Sequence, residues 1–168
     1  MRKLAAAHHY ETDPQRVFSA LTDEAFLRAK FGELGARDVD VLECGPSPSG
    51  SGFRVVTRRT VSVDVPGFAK RLLSPSNAVT QTDVWGQAGD GVRTGHWSVE
   101  VAGVPSTMGG TMSLEASGAG SDYRLDGEVK VSVPLLGGKL EGFAVGNAER
   151  DIARECEFLA RWLAERHP

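Results

Sequence analysis

The chain has 168 residues, which at about 150 residues per domain reads as a single domain over residues 1–168 able to build a core without disulfide or metal staples. Its 19 basic and 22 acidic residues leave a net charge of −3, which excludes the basic footprint of a nucleic-acid binder. No apolar run approaches the ~18 residues of a membrane span, and the apolar stretch behind Arg2 and Lys3 falls short of the ~7–15 residues of a signal-peptide core. Cys44 and Cys156 stand far apart, as buried thiols of a reducing compartment do, so the expected location is the cytoplasm.

Residues 2–11 alternate, with Leu4, Ala6, His8 and Tyr10 on one face of a first strand. Asp13-Pro14 is an N-cap followed by a first-turn proline, and Thr12 with Gln15 has capping-box spacing; either opens a short helix over 13–23. Asp23 caps a second short helix through Phe26, Leu27 and Phe31, ended by Gly32 and Gly35. From Arg37 the period becomes two. Residues 45–52 are a Pro/Gly/Ser turn, and 53–65 form a long strand broken at Pro66-Gly67. Further strands follow over 78–86, 92–102 and 111–116. The seventh, to Val133, sets Tyr123, Leu125, Gly127, Val129 and Val131 against Arg124, Asp126, Glu128 and Lys130. Residues 138–165 form a helix of about 42 Å, with Val145, Ala148, Ile152, Cys156, Leu159 and Leu163 as one apolar stripe. Glu149, Arg150, Asp151, Arg154 and Glu157 are assigned to its opposite face.

Absence of strand–helix alternation excludes a doubly wound fold and leaves α+β. The expected architecture is a curved antiparallel six- to seven-stranded sheet around a long C-terminal helix, with two short helices after strand one. A curled sheet gripping one helix leaves a space between them.

That element order and the segment Asp13-Pro-Gln-Arg-Val-Phe-Ser-Ala-Leu-Thr-Asp23 resemble the START-like or SRPBCC superfamily, which includes birch-pollen-allergen-like proteins, polyketide cyclases and lipid-transfer domains. Val63-Asp-Val-Pro-Gly-Phe68, Trp85 and Val133-Pro-Leu-Leu-Gly-Gly-Lys-Leu-Glu141 resemble its branch known as domain-of-unknown-function family 2505. The resemblance implies a helix-grip fold with a hydrophobic tunnel between sheet and C-terminal helix. It supplies no catalytic residues.

Strand parity selects candidate cavity walls. Phe53, Val55, Trp97, Val99, Met112, Tyr123 and Leu125 sit on apolar faces that look toward the helix, and Phe143 looks back. Trp85 adds a flat aromatic wall. Gly142 and Gly146, with Gly127 opposite, remove volume where the layers meet, although Gly-x-x-x-Gly spacing also marks plain close approach. The expected pocket is about 300–1,000 Å³. His8 and Tyr10 share an inward face, where His8 is either a structural histidine or a polar cavity group. Arg59 stands among Val55, Val61 and Val63. A bulge after Thr57, a ligand carboxylate or a structural ion pair would each account for it. Phe68, with Leu72 and Leu73, either covers the cavity mouth or forms a satellite cluster.

No metal and no cofactor are expected. His8 and His9 point to opposite faces of a strand, and His96 and His167 keep no ligand spacing with them. Gly137-Gly138-Lys139 is no phosphate loop, because Val133 and Leu140 stand where glycine and Ser or Thr are required. The leading expectation is noncatalytic binding or transport of a hydrophobic small molecule or lipid. A cyclase- or aromatase-like enzyme on a polyketide-type substrate, resting on His8, Tyr10 and Arg59, and a protein-interaction or regulatory domain are the alternatives. The expected partner is a hydrophobic small molecule or lipid, with no nucleic acid and no stable membrane insertion; the oligomeric state is left open.

Overall fold

The structure, a computed structural model, describes residues 1–166; His167 lies outside them. Its elements are β1 (Arg2–Tyr10), α1 (Pro14–Leu21), α2 (Glu24–Glu33), β2 (Arg37–Pro46), β3 (Phe53–Ser62), a single 3₁₀ turn (Gly67–Ala69), β4 (Ser76–Trp85), β5 (Val92–Val101), β6 (Ser106–Ser117), β7 (Gly120–Val131) and α3 (Gly137–Arg166). The strands form one seven-stranded sheet in the order β1-β7-β6-β5-β4-β3-β2, with every pairing antiparallel. This is the α+β helix-grip arrangement expected from the pattern of elements. β1 and β2 lie at opposite edges of the sheet, so α1 and α2 carry the chain across its full width.

Local chemistry sets these elements. Of the two possible caps before α1, Asp13-Pro14 is used: the Asp13 carboxylate accepts the Arg16 N–H at 3.1 Å, and Pro14 fills the first turn. Asp23 accepts the Phe26 N–H at 3.1 Å to open α2. That helix passes through Gly32 and stops at Gly35, whose φ of +87° is in the left-handed region. β6 begins five residues earlier than its alternation suggests, because Met108, Gly109 and Gly110 continue the strand instead of turning. β3 ends at Ser62, three residues early.

The long helix is held at its two ends. Near its start Leu140 packs with Ala69, Val129 and Val131, and the Glu141 carboxylate accepts the Val131 N–H at 2.9 Å and pairs with the Met1 ammonium at 2.7 Å. Those two donors hold the Glu141 carboxyl below the usual carboxylate range, the ammonium being the larger cause. Toward its end Cys156, Leu159 and Leu163 join the main core with Leu4, Val17, Phe26 and Leu114.

Gly127, expected to leave ligand space, instead makes room for a tryptophan. Trp97 lies across it, and the Trp97 Nε1 donates to the Thr111 carbonyl at 3.2 Å. A Cβ at Gly127 would press into the Trp97 ring and stand 2.7 Å from the Gly109 carbonyl oxygen. Gly127→Ala is therefore expected to destabilise the fold by about 1–3 kcal/mol, read as a lowered urea midpoint. A midpoint equal to wild type would show that Trp97 can move away freely.

Candidate functional site

α3 packs along β1 and β7 and leaves, between itself and the rest of the sheet, a cavity of ≈ 280 Å³. The volume is slightly under the expected range. Phe143, Ala144, Asn147, Ala148, Asp151, Ile152 and Glu155 face it, at spacings of three and four that mark one side of the helix. The sheet contributes Trp85, Trp97, Val99, Met112, Tyr123 and Leu125, α2 contributes Lys30 and Phe31, and the segment after the 3₁₀ turn contributes Leu72 and Leu73. Tyr10 and Arg59 also reach the wall.

Six candidate positions lie elsewhere. Phe53 and Val55 do face inward, but the short helices cover them: Phe53 meets Phe18 of α1 edge-on at 6.1 Å between ring centres, and Val55 packs with Leu27 and Phe31 of α2. His8 is half-buried, 4.5 Å between ring centres from Tyr10, and outside the wall. Phe68 is exposed beneath the Lys139 ammonium, while its neighbour Ala69 turns inward. Gly142 faces the Arg2 guanidinium and Gly146 the Arg150 side chain, so neither opens the cavity. The reason is helical phase, since the cavity-facing side passes through 143/144 and 147/148.

Arg59 is the most informative side chain. No bulge moves it outward, because β3 pairs with β4 in unbroken register from Phe53↔Trp85 to Ser62↔Ser76. The irregularities fall on its other side, against β2. Among the described residues Arg59 has no ion-pair partner within 4.0 Å. Its guanidinium stacks 4.0 Å from the centre of the Phe31 ring, and Nη2 donates to Gln81 Oε1 at 3.2 Å. Gln81 Nε2 in turn donates to both Asp83 oxygens, at 3.2 and 3.3 Å. A neutral amide thus stands between a buried cation and a buried anion. Among the described residues Arg59 Nη1 and the Tyr10 hydroxyl are buried without hydrogen-bond partners.

Sequence reading missed the acidic half of this group. Asp83 and Gln81 share an inward face with Val79 and Trp85, so parity was the available signal. Asp151 does not lie on the outer face of the helix, where the stripe of apolar residues assigns it. Instead Asn147, Asp151 and Glu155 form a polar row at four-residue spacing beside the apolar row Ala144, Ala148 and Ile152. Lys30, buried on α2, approaches Glu155 at 3.9 Å. Burial pushes the Asp83 carboxyl above the usual carboxylate range, against the pull of Lys30 and Gln81. Burial and then the Glu155 charge push Asp151 up, burial lowers Arg59, and burial raises the Tyr10, Tyr123 and Cys156 protons. Among the described residues no group of His, Cys, Asp and Glu is placed to hold a metal ion, and no helix is long and apolar enough to cross a membrane.

The raised Asp83 proton has a stability consequence. An acid whose folded pKa lies above its unfolded value costs nothing below the unfolded pKa, and destabilises increasingly as pH rises toward the folded pKa. Asp83→Asn is therefore expected to raise the melting temperature at neutral pH, with the gain vanishing below about pH 4. Melts across pH 3–8 test this; a variant less stable than wild type at pH 7 would mean that the Asp83 charge is stabilising.

Residues 5–163 match the family described as Protein of unknown function (DUF2505). The chain belongs to the DUF2505 family. Its relatives include Uncharacterized protein Rv0481c of Mycobacterium tuberculosis, 26% identical over 161 residues that span 92% of each chain. Among solved structures this DUF2505 chain is similar to TTHA0849 from Thermus thermophilus, with a TM-score of 0.69 at 13% identity over 99% of this chain and 100% of the other. It is also similar to a STAR-related lipid transfer protein from Xanthomonas axonopodis, with a TM-score of 0.66 at 14% identity over 98% and 86% of the two chains. A START superfamily protein from Mycobacterium smegmatis gives 0.54 at 13% identity over 96% and 98%. At these identities the structural neighbours establish a shared START-like fold.

Proposed function

We propose that this DUF2505 protein binds a hydrophobic small molecule or lipid between the sheet and α3. The observation that carries the reading is the unfilled volume under the middle of the helix, walled by Trp97, Met112, Leu125, Ala148 and Ile152. Close-packed interiors seldom keep such a space. Its size suits a small ligand, with the apolar body against these walls and any polar end beside Arg59 and Gln81. Likeness in fold to a protein named for lipid transfer supports the same reading. Native mass spectrometry of protein taken from its own host is expected to show a copurifying small molecule. An empty protein that also gains no thermal stability from a panel of apolar probes would overturn the proposal.

A second reading, an acid–base enzyme of the cyclase kind, is favoured by one observation: Asp83, Tyr123 and Arg59 line the same buried space, and Asp83 holds its proton above the usual range. An enzyme would turn over a bound ligand and lose that turnover, though not binding, in Asp83→Asn. A pure binder returns its ligand unchanged in both forms.

A further inference from the structure

Among the described residues four large apolar side chains are exposed, and three of them gather around the first turn of α3: Met1 at 72%, Phe68 at 37% and Leu135 at 102% of full exposure. The Met1 ammonium pairs with Glu141 in that turn, Leu135 lies in the loop that enters it, and Phe68 lies 5.8 Å from Lys139 Nζ. The two loops are packed together, since Ala69 and Leu136 belong to one apolar cluster. Leu135 is anomalous twice over. Its φ of +68° is a left-handed conformation that leucine rarely adopts, and its side chain touches nothing that would repay the strain.

The charge around it is mainly positive. Residues 66–73 and 133–140 hold Lys70, Arg71 and Lys139 and no Asp or Glu; of the two flanking acids, Glu141 is neutralised by the Met1 ammonium and Asp64 stands exposed before the loop, on a chain whose net charge is −3. All three are exposed, and among the described residues none forms an ion pair within 4.0 Å. Leu72, Leu73 and Leu140 of the same segments line one end of the cavity.

We propose that this end of the molecule docks reversibly on an anionic lipid surface, with Leu135 and Phe68 entering the acyl boundary and Lys70, Arg71 and Lys139 facing headgroup charges. Protruding apolar side chains among unpaired cations suit a bilayer interface. They do not suit a protein interface, whose core is depleted in lysine. A second copy fits no better, because a two-fold contact would set three cations against three. The surface stands apart from the question of what fills the cavity.

Flotation with phosphatidylcholine vesicles, with and without a quarter of phosphatidylglycerol, tests the proposal. Wild type is expected to float with the anionic vesicles at low salt, to release at high salt and to ignore the neutral ones. Lys139→Glu should weaken binding about 25-fold, at about fivefold per unit of charge. Leu135→Gly should weaken it at least about tenfold, yet melt about 2–4 °C higher because glycine accepts the left-handed φ. Leu42→Ser, at an exposed leucine of β2, should change nothing. Failure of wild type to float with anionic vesicles, or equal flotation of the Leu135→Gly and Lys139→Glu variants, overturns the proposal. A dimer in vesicle-free solution that Leu135→Gly abolishes would assign the face to a second copy and overturn it as well.

Discussion

Ala148→Phe is expected to abolish uptake of apolar probes while raising the melting temperature. Ala148 lies midway along α3 on the side that faces the cavity of ≈ 280 Å³. A phenyl ring at that position enters empty space, so the overpacking that usually makes small-to-large changes costly is absent. Burying it away from water contributes about 1.5–3 kcal/mol. At about 2–4 °C per kcal/mol for a chain of this size, the melt moves up by several degrees. The same ring removes the space a ligand needs, and binding of a fluorescent apolar probe should fall at least a hundredfold. The combination is diagnostic, because a misfolded variant loses binding and stability together. If the probe binds Ala148→Phe as tightly as wild type, the ligand site is elsewhere and the proposed function falls.

Leu159→Asp is expected to have the largest effect on stability of any single change considered. Leu159 is 1% exposed in the main core, one helical turn beyond Glu155 and past the end of the polar row. The substitution removes a packed side chain, worth about 2–5 kcal/mol, and leaves a carboxyl with no partner. Set against a typical total stability of about 5–15 kcal/mol, the variant should be largely unfolded at 37 °C. Circular dichroism across a thermal melt would show this as a lost or strongly lowered transition. A cooperative melt within a few degrees of wild type would mean that the end of α3 is not seated in the core. Ile152→Asp should be far milder. Ile152 is half-buried, so the substitution removes less packing and leaves its carboxylate partly in contact with solvent.

The difference between Ile152 and Leu159 marks how far local patterning reaches in this chain. Order and type of elements were legible, because each rests on local chemistry: the caps at Asp13 and Asp23, the two-residue alternation of β7, and the three-and-four spacing of α3. The family resemblance was legible for the same reason, since its segments sit at those caps, strand ends and the entry to α3. Parity also identified the inner face of β1, β3, β5, β6 and β7, though it was not carried through β4, where Gln81 and Asp83 stand beside Trp85. It placed Arg59 on the inner face of β3, and uninterrupted pairing of β3 with β4 left no bulge to turn it out.

Parity says only which face looks inward, not what lies opposite. Phe53 and Val55 face inward yet meet α1 and α2, because the chain crosses the whole sheet between its two edge strands and lays both short helices over one end. Periodicity likewise ranked Ile152 and Leu159 alike, although both reach the cavity wall and only Leu159 is fully buried in the core. The polar group of Lys30, Arg59, Gln81, Asp83, Asp151 and Glu155 comes from four elements distant in sequence, and only the closing of α3 over the sheet brings it together. Its charges and hydrogen bonds are long-range, and no local pattern encodes them. The exposed Leu135 is of the same kind: no local pattern marks this leucine as exposed, and only the folded backbone, left-handed at that residue, sets it in water.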